Sequence, residues 1–126
     1  DAFRHIIWNT LIGKYYGGKK KSVSKGVDMA REFTNIHEDC NRKANQPEYD
    51  QEMDYHNNWI GRDYFQSIAS IKKKKRRFWF TKKWLECPSN STIKSAIKKK
   101  VDGAKKVSKD VSAIKSVSKY TPVYYN

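Results

Sequence analysis

The chain contains three histidines, His5, His37 and His56, and each has an acidic or amide residue close by. An imidazole changes its charge near neutral pH, so a histidine beside a carboxylate can take up and return a proton during catalysis. An arginine such as Arg4 or Arg62 can stabilise the negative charge that develops on a phosphate. These residue types predict acid–base hydrolysis of a phosphodiester, in RNA, DNA or a phospholipid head group.

The candidate residues fall into two groups by the role that their chemistry suggests. The candidate catalytic residues are His5, His37, His56, Glu38, Asp54, Arg4 and Arg62, and the candidate supporting residues are Asp1, Trp8, Asn9, Asn57 and Asn58. Histidine and carboxylate side chains also bind zinc or manganese, but the chain has neither an HExxH nor an HxH spacing, so use of a divalent metal stays open. A GxSxG nucleophile motif, a P-loop and a GxGxxG motif are all absent.

Apolar residues at helical spacing predict three helices that would position these side chains. The first covers residues 1–16 and stops at Gly17-Gly18, the second runs from a cap at Ser22 or Ser24 to about Cys40, and the third runs from Glu48 to about Ile71. His37 continues the apolar stripe of the second helix, and His56 lies on that of the third. A buried polar group without a partner costs about 1–3 kcal/mol, so we expect one polar cluster shared by the three helices. The plainer alternative is that each histidine is a structural residue.

The remainder of the chain predicts a single domain, residues 1–126, of the all-α class. Residues 92–107 and 108–119 have amphipathic helical patterns, with a weak point at Gly103, and no strand-like alternation is sustained anywhere. Residues 78–86 fit either a short helix or a strand. Cys40 and Cys87 could form one disulfide or none.

The charge is distributed very unevenly along the 126 residues. The formal net charge is +14, yet residues 1–71 contain ten basic and ten acidic side chains, so the entire excess lies in residues 72–126. A basic block there is followed by aromatic residues, a mixture that suits a nucleic acid, an anionic membrane or an acidic partner protein, or simply a solvated surface. The candidate target- or partner-binding residues are Lys72, Lys73, Lys74, Lys75, Arg76, Arg77, Trp79 and Trp84.

Three short motifs carry a family resemblance. They are DAFRHIIWN (Asp1–Asn9), FTNIHE (Phe33–Glu38) and MDYHNNWIGR (Met53–Arg62). In this order they resemble an uncharacterised toxin domain that ends many bacterial polymorphic toxins, and the resemblance covers residues 1–62. The basic region after residue 71 has no counterpart in that pattern.

The resemblance implies an effector that is secreted or delivered into a target cell and neutralised by a cognate immunity protein, which the basic charge predicts to be acidic. Because the chain starts at Asp1, we expect it to be a fragment whose N-terminal delivery domains are missing. The combined prediction is an interbacterial toxin, with hydrolase activity on a phosphate-containing target. The rival hypotheses are a non-enzymatic membrane-perturbing toxin and a nucleic-acid-binding module.

Overall fold

Three long helices, a β-hairpin and a smaller C-terminal region make up the chain. In a computed structural model, which describes residues 1–77 and 80–125, the elements in chain order are α1 (Ala2–Lys20), α2 (Val23–Lys43), α3 (Glu48–Ile68), β1 (Ser70–Arg76), β2 (Phe80–Glu86), α4 (Asn90–Asp102), β3 (Lys105–Lys106), α5 (Val111–Lys115) and β4 (Val123–Tyr124). The mostly helical character agrees with the sequence, but the two small sheets correct the all-α prediction.

The first helix continues through the glycine pair that was predicted to end it. It runs to Lys20 and stops at Lys21, which adopts a left-handed conformation with φ 53°. Gly17 serves packing instead, because a Cβ atom there would lie 3.2 Å from the Phe65 ring and 3.5 Å from Gly26 Cα, and a Cβ atom on Gly26 would lie 2.4 Å from the Gly13 carbonyl oxygen. At Gly18 the nearest contact of such an atom is Leu85 at 3.8 Å. The helices α1 and α2 therefore approach each other closely at positions that are occupied by glycine.

The second helix begins at the predicted cap but buries a different stripe. The Ser22 hydroxyl accepts a hydrogen bond from the Lys25 backbone N–H at 3.2 Å, which confirms Ser22 as the cap. The buried residues are Gly26, Ala30, Thr34 and Glu38, whereas Phe33 is 50% exposed. The predicted apolar stripe of Val23, Val27, Ala30, Phe33 and His37 is therefore wrong at Phe33, while Ala30 is buried and the other three are half-buried. The most deeply buried face combines small and polar residues.

The third helix ends at Ile68, earlier than predicted, because the chain enters an antiparallel hairpin. Strand β1 pairs with β2 from Ser70 opposite Glu86 to Arg76 opposite Phe80. Apart from Ile71, Trp84 and Leu85 the hairpin residues described are exposed, so neither face needs an apolar row. A strand shows period-two alternation only when one face is buried, which explains why the sequence did not reveal this one.

Two apolar clusters hold the helices together. One joins α1, α3 and α4 through Ile6, Ile60, Ile93 and Ile97, all nearly inaccessible to solvent. The other joins α3 to the C-terminal region. There β3 takes the end of the predicted helix 92–107, short α5 is the helical part of the predicted helix 108–119, and β4, which pairs with β3 in parallel, follows both. Both cysteines are free thiols. No helix among the described residues is long and apolar enough to span a membrane.

Candidate functional site

The three long helices enclose one buried polar cluster, as the sequence predicted. Each helix contributes residues spaced four apart, which therefore point in the same direction. The members are His5 and Asn9 from α1, Thr34 and Glu38 from α2, and Asp54, Asn58 and Arg62 from α3. All of these residues except Arg62 are almost fully buried.

His5 lies at the centre of this cluster. Its Nε2 is 3.0 Å from Asp54 Oδ1, and its Nδ1 is 3.0 Å from Asn58 Oδ1 and 3.8 Å from Glu38 Oε1. The His5 residue is only 1% exposed. The ring is therefore held at both nitrogens by groups from a different helix.

The orientation of the Asn58 amide follows from its neighbours. Its Nδ2 donates to Glu38 Oε1 at 3.2 Å, while its Oδ1 accepts from Asn9 Nδ2 at 2.9 Å. The Asn9 amide nitrogen also donates to the His5 backbone carbonyl at 2.8 Å. With Asn58 Oδ1 fixed as an acceptor, His5 Nδ1 must carry a proton.

The two buried carboxyl groups differ in acidity. Burial opposes ionisation of Asp54, but the hydrogen bond and charge of His5, with the amide of Gln46, outweigh it and lower the pKa of Asp54. Burial and the adjacent Asp54 charge raise the pKa of Glu38. Oxygen atoms of Asp54 and Asn58 thus face the two ring nitrogens of His5, beside a Glu38 carboxyl group whose pKa is raised.

Arg62 brings a partly buried positive charge to the edge of the cluster. Its Nη1 donates to Asn9 Oδ1 at 3.2 Å and lies 3.4 Å from Thr34 Oγ1. Burial, and to a lesser extent the charge of Arg31, lowers the pKa of Arg62 to about 10. Within the described residues its Nε has no hydrogen-bond partner, and no carboxylate lies within ion-pair distance of the guanidinium. The Arg62 charge is therefore met only by neutral groups.

Trp8, His37 and Arg4 cover the cluster on its solvent side. The His37 ring centroid lies 6.2 Å from that of His5 and 5.4 Å from that of Trp8, which it meets edge to face. The Arg4 guanidinium carbon lies 5.3 Å from the Trp8 ring centroid, a cation–π distance. His37 and Trp8 are half-buried and Arg4 is exposed, so this outer layer is the part that a solute can reach.

Other predicted residues lie outside the cluster. His56 is half-buried and its Nε2 lies 2.7 Å from the Thr121 carbonyl oxygen, which corrects the expectation that it joins a shared histidine cluster. Asn57 pairs with the Val123 backbone in both directions, at 3.0 and 3.1 Å, and so fastens the C-terminal region to α3. Asp1 is exposed and caps α1 by accepting from the Arg4 backbone N–H.

Two members of the polar network were missed by sequence reasoning. Thr34 is four residues before Glu38 on the same face of α2, and that spacing was the available signal. Gln46 donates from its side chain to Asp54 Oδ2 at 2.9 Å. Gln46 lies in the loop after α2, where no periodicity could have indicated its direction.

His5, Glu38 and Asp54 also form the set that could hold a metal ion. Each offers one ligand atom, and these atoms lie within 4.8 Å of one another. A divalent cation would have to displace the protons of this site, since a metal-bound imidazole nitrogen is deprotonated and ligating carboxyl groups are ionised. The residue types fit zinc or manganese, and the hydrogen bonds described above would have to rearrange to admit either.

The predicted binding residues fall on the hairpin. Lys72, Lys73, Lys74, Lys75 and Arg76 form most of β1, Arg77 follows it, and Trp84 lies on β2. Trp79 lies outside the described residues. The cationic residues are all exposed, and Trp84 is half-buried.

Comparison with known proteins places the chain in one family. Residues 1–105 match the family described as Domain of unknown function (DUF6973), and because this match covers most of the chain, the protein belongs to that family. No curated protein and no solved structure matches significantly.

Proposed function

We propose that this chain is the effector domain of an interbacterial toxin that hydrolyses a phosphate ester in its target cell. The observation that carries the proposal is an outer layer in which half-buried Trp8 and His37 pack against the buried His5 ring and exposed Arg4 lies over Trp8. Folding alone does not require ionisable groups in the buried cluster beneath this layer, because replacing a buried ion pair by apolar residues is often neutral or stabilising. Ionisable groups retained at such a cost suggest a functional site.

His37 and Arg4 are the catalytic residues in this proposal. The His37 ring takes a proton from the attacking water, a bond forms between that water oxygen and phosphorus, and the bond to the leaving oxygen breaks. His37 then returns the proton to the leaving oxygen. Arg4 neutralises the charge on the non-bridging phosphate oxygens.

The buried groups are positioning residues, because a substrate cannot contact atoms that are almost fully enclosed. His5 packs against both His37 and Trp8, and Asp54 and Asn58 fix the orientation of the His5 ring. Asn41 lies 3.2 Å from His37 Nε2 and orients that ring from its other side. Arg62 adds a second positive charge that no carboxylate of the described residues neutralises.

The biological context in the proposal is delivery into a competing cell and neutralisation by a cognate immunity protein. The net charge of +14 favours an acidic immunity protein, since complementary charge accelerates association. Such a protein would block the reaction simply by covering Arg4, Trp8 and His37.

The test is expression of His37→Gln and Arg4→Ala inside sensitive bacteria, beside the unchanged chain. Arg42→Ala is the matched control, because Arg42 is exposed and pairs with Asp39 near the end of α2. Degraded nucleic acid, released lipid products and dye entry are followed in parallel. The proposal expects loss of growth inhibition and of product in the first two variants, and retention in the control. Growth inhibition that survives in both folded site variants would overturn it, and dye entry without any hydrolysis product would support a membrane-perturbing toxin instead.

A further inference from the structure

The hairpin has two chemically different faces, and its register defines them. Side chains that lie opposite each other in an antiparallel pair project to the same side, and successive rungs alternate. One face carries the rungs Ile71 with Leu85, Lys73 with Lys83, and Lys75 with Thr81. The other face starts with Ser70 opposite Glu86 at the base of the hairpin and continues with Lys72 and Trp84, Lys74 and Lys82, and Arg76 and Phe80. We refer to the last six of these residues as the aromatic face.

The first face attaches the hairpin to the helices. Ile71 and Leu85 are half-buried, and Leu85 Cδ2 lies 3.8 Å from where a Cβ atom of Gly18 would be. Strand β2 thus packs on the C-terminal end of α1, and the rungs further along extend away from this attachment. The fold therefore holds the ribbon at its base, where Trp84 is half-buried, and leaves the other five residues of the aromatic face exposed.

The aromatic face alternates cations with rings. Phe80 is 61% exposed, which is unusual for a side chain of its size, and it lies opposite Arg76. Four residues further along the same strand, about 13 Å away, Trp84 lies opposite Lys72. The rung of Lys74 and Lys82 lies between the two rings. Like charges placed directly opposite each other destabilise a hairpin, and such a pair occurs here and again at Lys73 and Lys83 on the first face, so folding alone explains neither pair.

We propose that the aromatic face binds single-stranded nucleic acid. Two rings separated by a cationic rung match the requirements of a flexible single strand, whose bases stack on aromatic side chains while lysines and arginines contact the phosphates between them. An interfacial membrane segment instead needs a continuous apolar face, and here four cations interrupt two rings. This inference rests on the proposed function, because it names nucleic acid as the target of the hydrolase.

The test measures binding without any reaction. The full chain carrying His37→Gln is titrated against a fluorescently labelled single-stranded oligothymidine of about twelve nucleotides at several salt concentrations. Lys74→Gln with Lys82→Gln removes the cationic rung of the aromatic face. Lys73→Gln with Lys83→Gln removes the adjacent rung on the opposite face and is the matched control, with the same change in charge and the same strand pairing.

The aromatic-face pair is expected to weaken binding at least tenfold and to reduce the salt slope by about 1.4, since each phosphate contact to a single strand contributes about 0.7. The control pair is expected to change affinity less than threefold. Phe80→Leu keeps an apolar side chain but removes the stacking surface, and a loss of about fivefold or more is expected. An equal loss of oligonucleotide affinity in the two lysine-pair variants would overturn the proposal, because the hairpin would then bind only through its overall positive charge.

Vesicles of phosphatidylcholine and phosphatidylglycerol at a ratio of about 3:1 serve as the second probe, because anionic lipid attracts the same cations. If Phe80→Leu reduces vesicle binding and leaves oligonucleotide binding unchanged, the face is a membrane surface and the proposal is wrong. Oligonucleotide binding by the His37→Gln chain, combined with no cleavage by the unchanged chain, would separate the two hypotheses. In that case the hairpin binds single-stranded nucleic acid, but single-stranded DNA is not the substrate of the proposed hydrolase.

Discussion

Replacing Glu38 by Gln should stabilise the folded protein at neutral pH. Glu38 is 0% exposed, its Oε1 accepts from Asn58 Nδ2, and its Oε2 has no hydrogen-bond partner in the part of the chain that the structure describes. Burial and the neighbouring Asp54 charge raise the pKa of Glu38 above its ordinary value of 4.5. A glutamine has nearly the same shape, keeps the oxygen that accepts from Asn58, and directs an uncharged amide toward the Asp54 carboxylate.

The size of this gain in stability can be worked out in two ways, from the unpaired carboxyl oxygen or from the proton that Glu38 binds. A buried polar atom without a partner costs about 1–3 kcal/mol. In terms of protons, the folded protein holds a proton on Glu38 that the unfolded chain has released, so each pH unit between 4.5 and the folded-state pKa removes about 1.4 kcal/mol of stability. The two figures describe one penalty and are not added. Glu38→Gln should therefore gain about 1–3 kcal/mol at pH 7.

The directions of the two pKa shifts determine how the free energy of unfolding changes with pH. For Glu38 the free energy of unfolding falls as pH rises above 4.5 toward the folded-state pKa. For Asp54 the pKa is lowered, so its contribution is present above 3.8 and is lost as pH falls below 3.8 through the folded-state pKa. The two windows do not overlap. The Glu38→Gln curve should meet that of the unchanged chain near pH 4 and lie above it at pH 7.

The assay is urea unfolding followed by tryptophan fluorescence, at pH values from about 3 to 8. Asp54→Asn is the matched control, because it makes the same carboxyl-to-amide change at the other acid beside His5. It should cost about 1–3 kcal/mol at pH 7, because an amide in place of the carboxylate can accept from only one of its two neighbours, His5 Nε2 and Gln46 Nε2. A Glu38→Gln protein that is less stable at pH 7, or whose gain does not vary with pH, would refute the reasoning.

The packing gives further predictions. Gly61→Ala should destabilise the fold by about 1–3 kcal/mol in chemical unfolding, because the new Cβ would lie 2.5 Å from the Ile6 carbonyl oxygen. The same change at Gly18, where the nearest contact of the new Cβ within the described residues is Leu85 at 3.8 Å, should instead be neutral or stabilise by up to about 1 kcal/mol. Asn57→Ala should cost about 2–3 kcal/mol and speed proteolysis of the C-terminal region, because it leaves the Val123 backbone N–H and C=O buried and unpaired.

The sequence predicted the buried cluster better than it predicted the elements around it. The requirement that buried polar groups satisfy one another depends only on residue type and helical spacing, and it correctly joined His5, Glu38 and Asp54 across three helices. The same rule failed for His56, because an intermediate position on a helix face does not reveal whether the partner is a side chain or, as here, the Thr121 carbonyl.

The hairpin and the C-terminal strands could not be predicted for a different reason. Their pairing depends on contacts far apart in the sequence, and β1 consists largely of lysines that carry no apolar alternation. The glycines of α1 were misread because a glycine that ends a helix and a glycine that admits a neighbouring helix look alike in a single sequence. The structure distinguishes a helix-ending glycine from a packing glycine, because it shows Gly26 of α2 against Gly13 and Gly17 of α1.

The expected gain in stability from Glu38→Gln also bears on why the cluster exists. If folding were the only requirement, a glutamine would serve better at this position, and the raised pKa of Glu38 would have no benefit. A carboxyl group beside His5 instead lets the cluster change its charge while Asp54 stays ionised, and His37 lies on the open side of that ring. A Glu38→Gln protein that is more stable yet no longer inhibits growth would therefore connect the buried cluster to function through charge alone, because neither shape nor stability would have been lost.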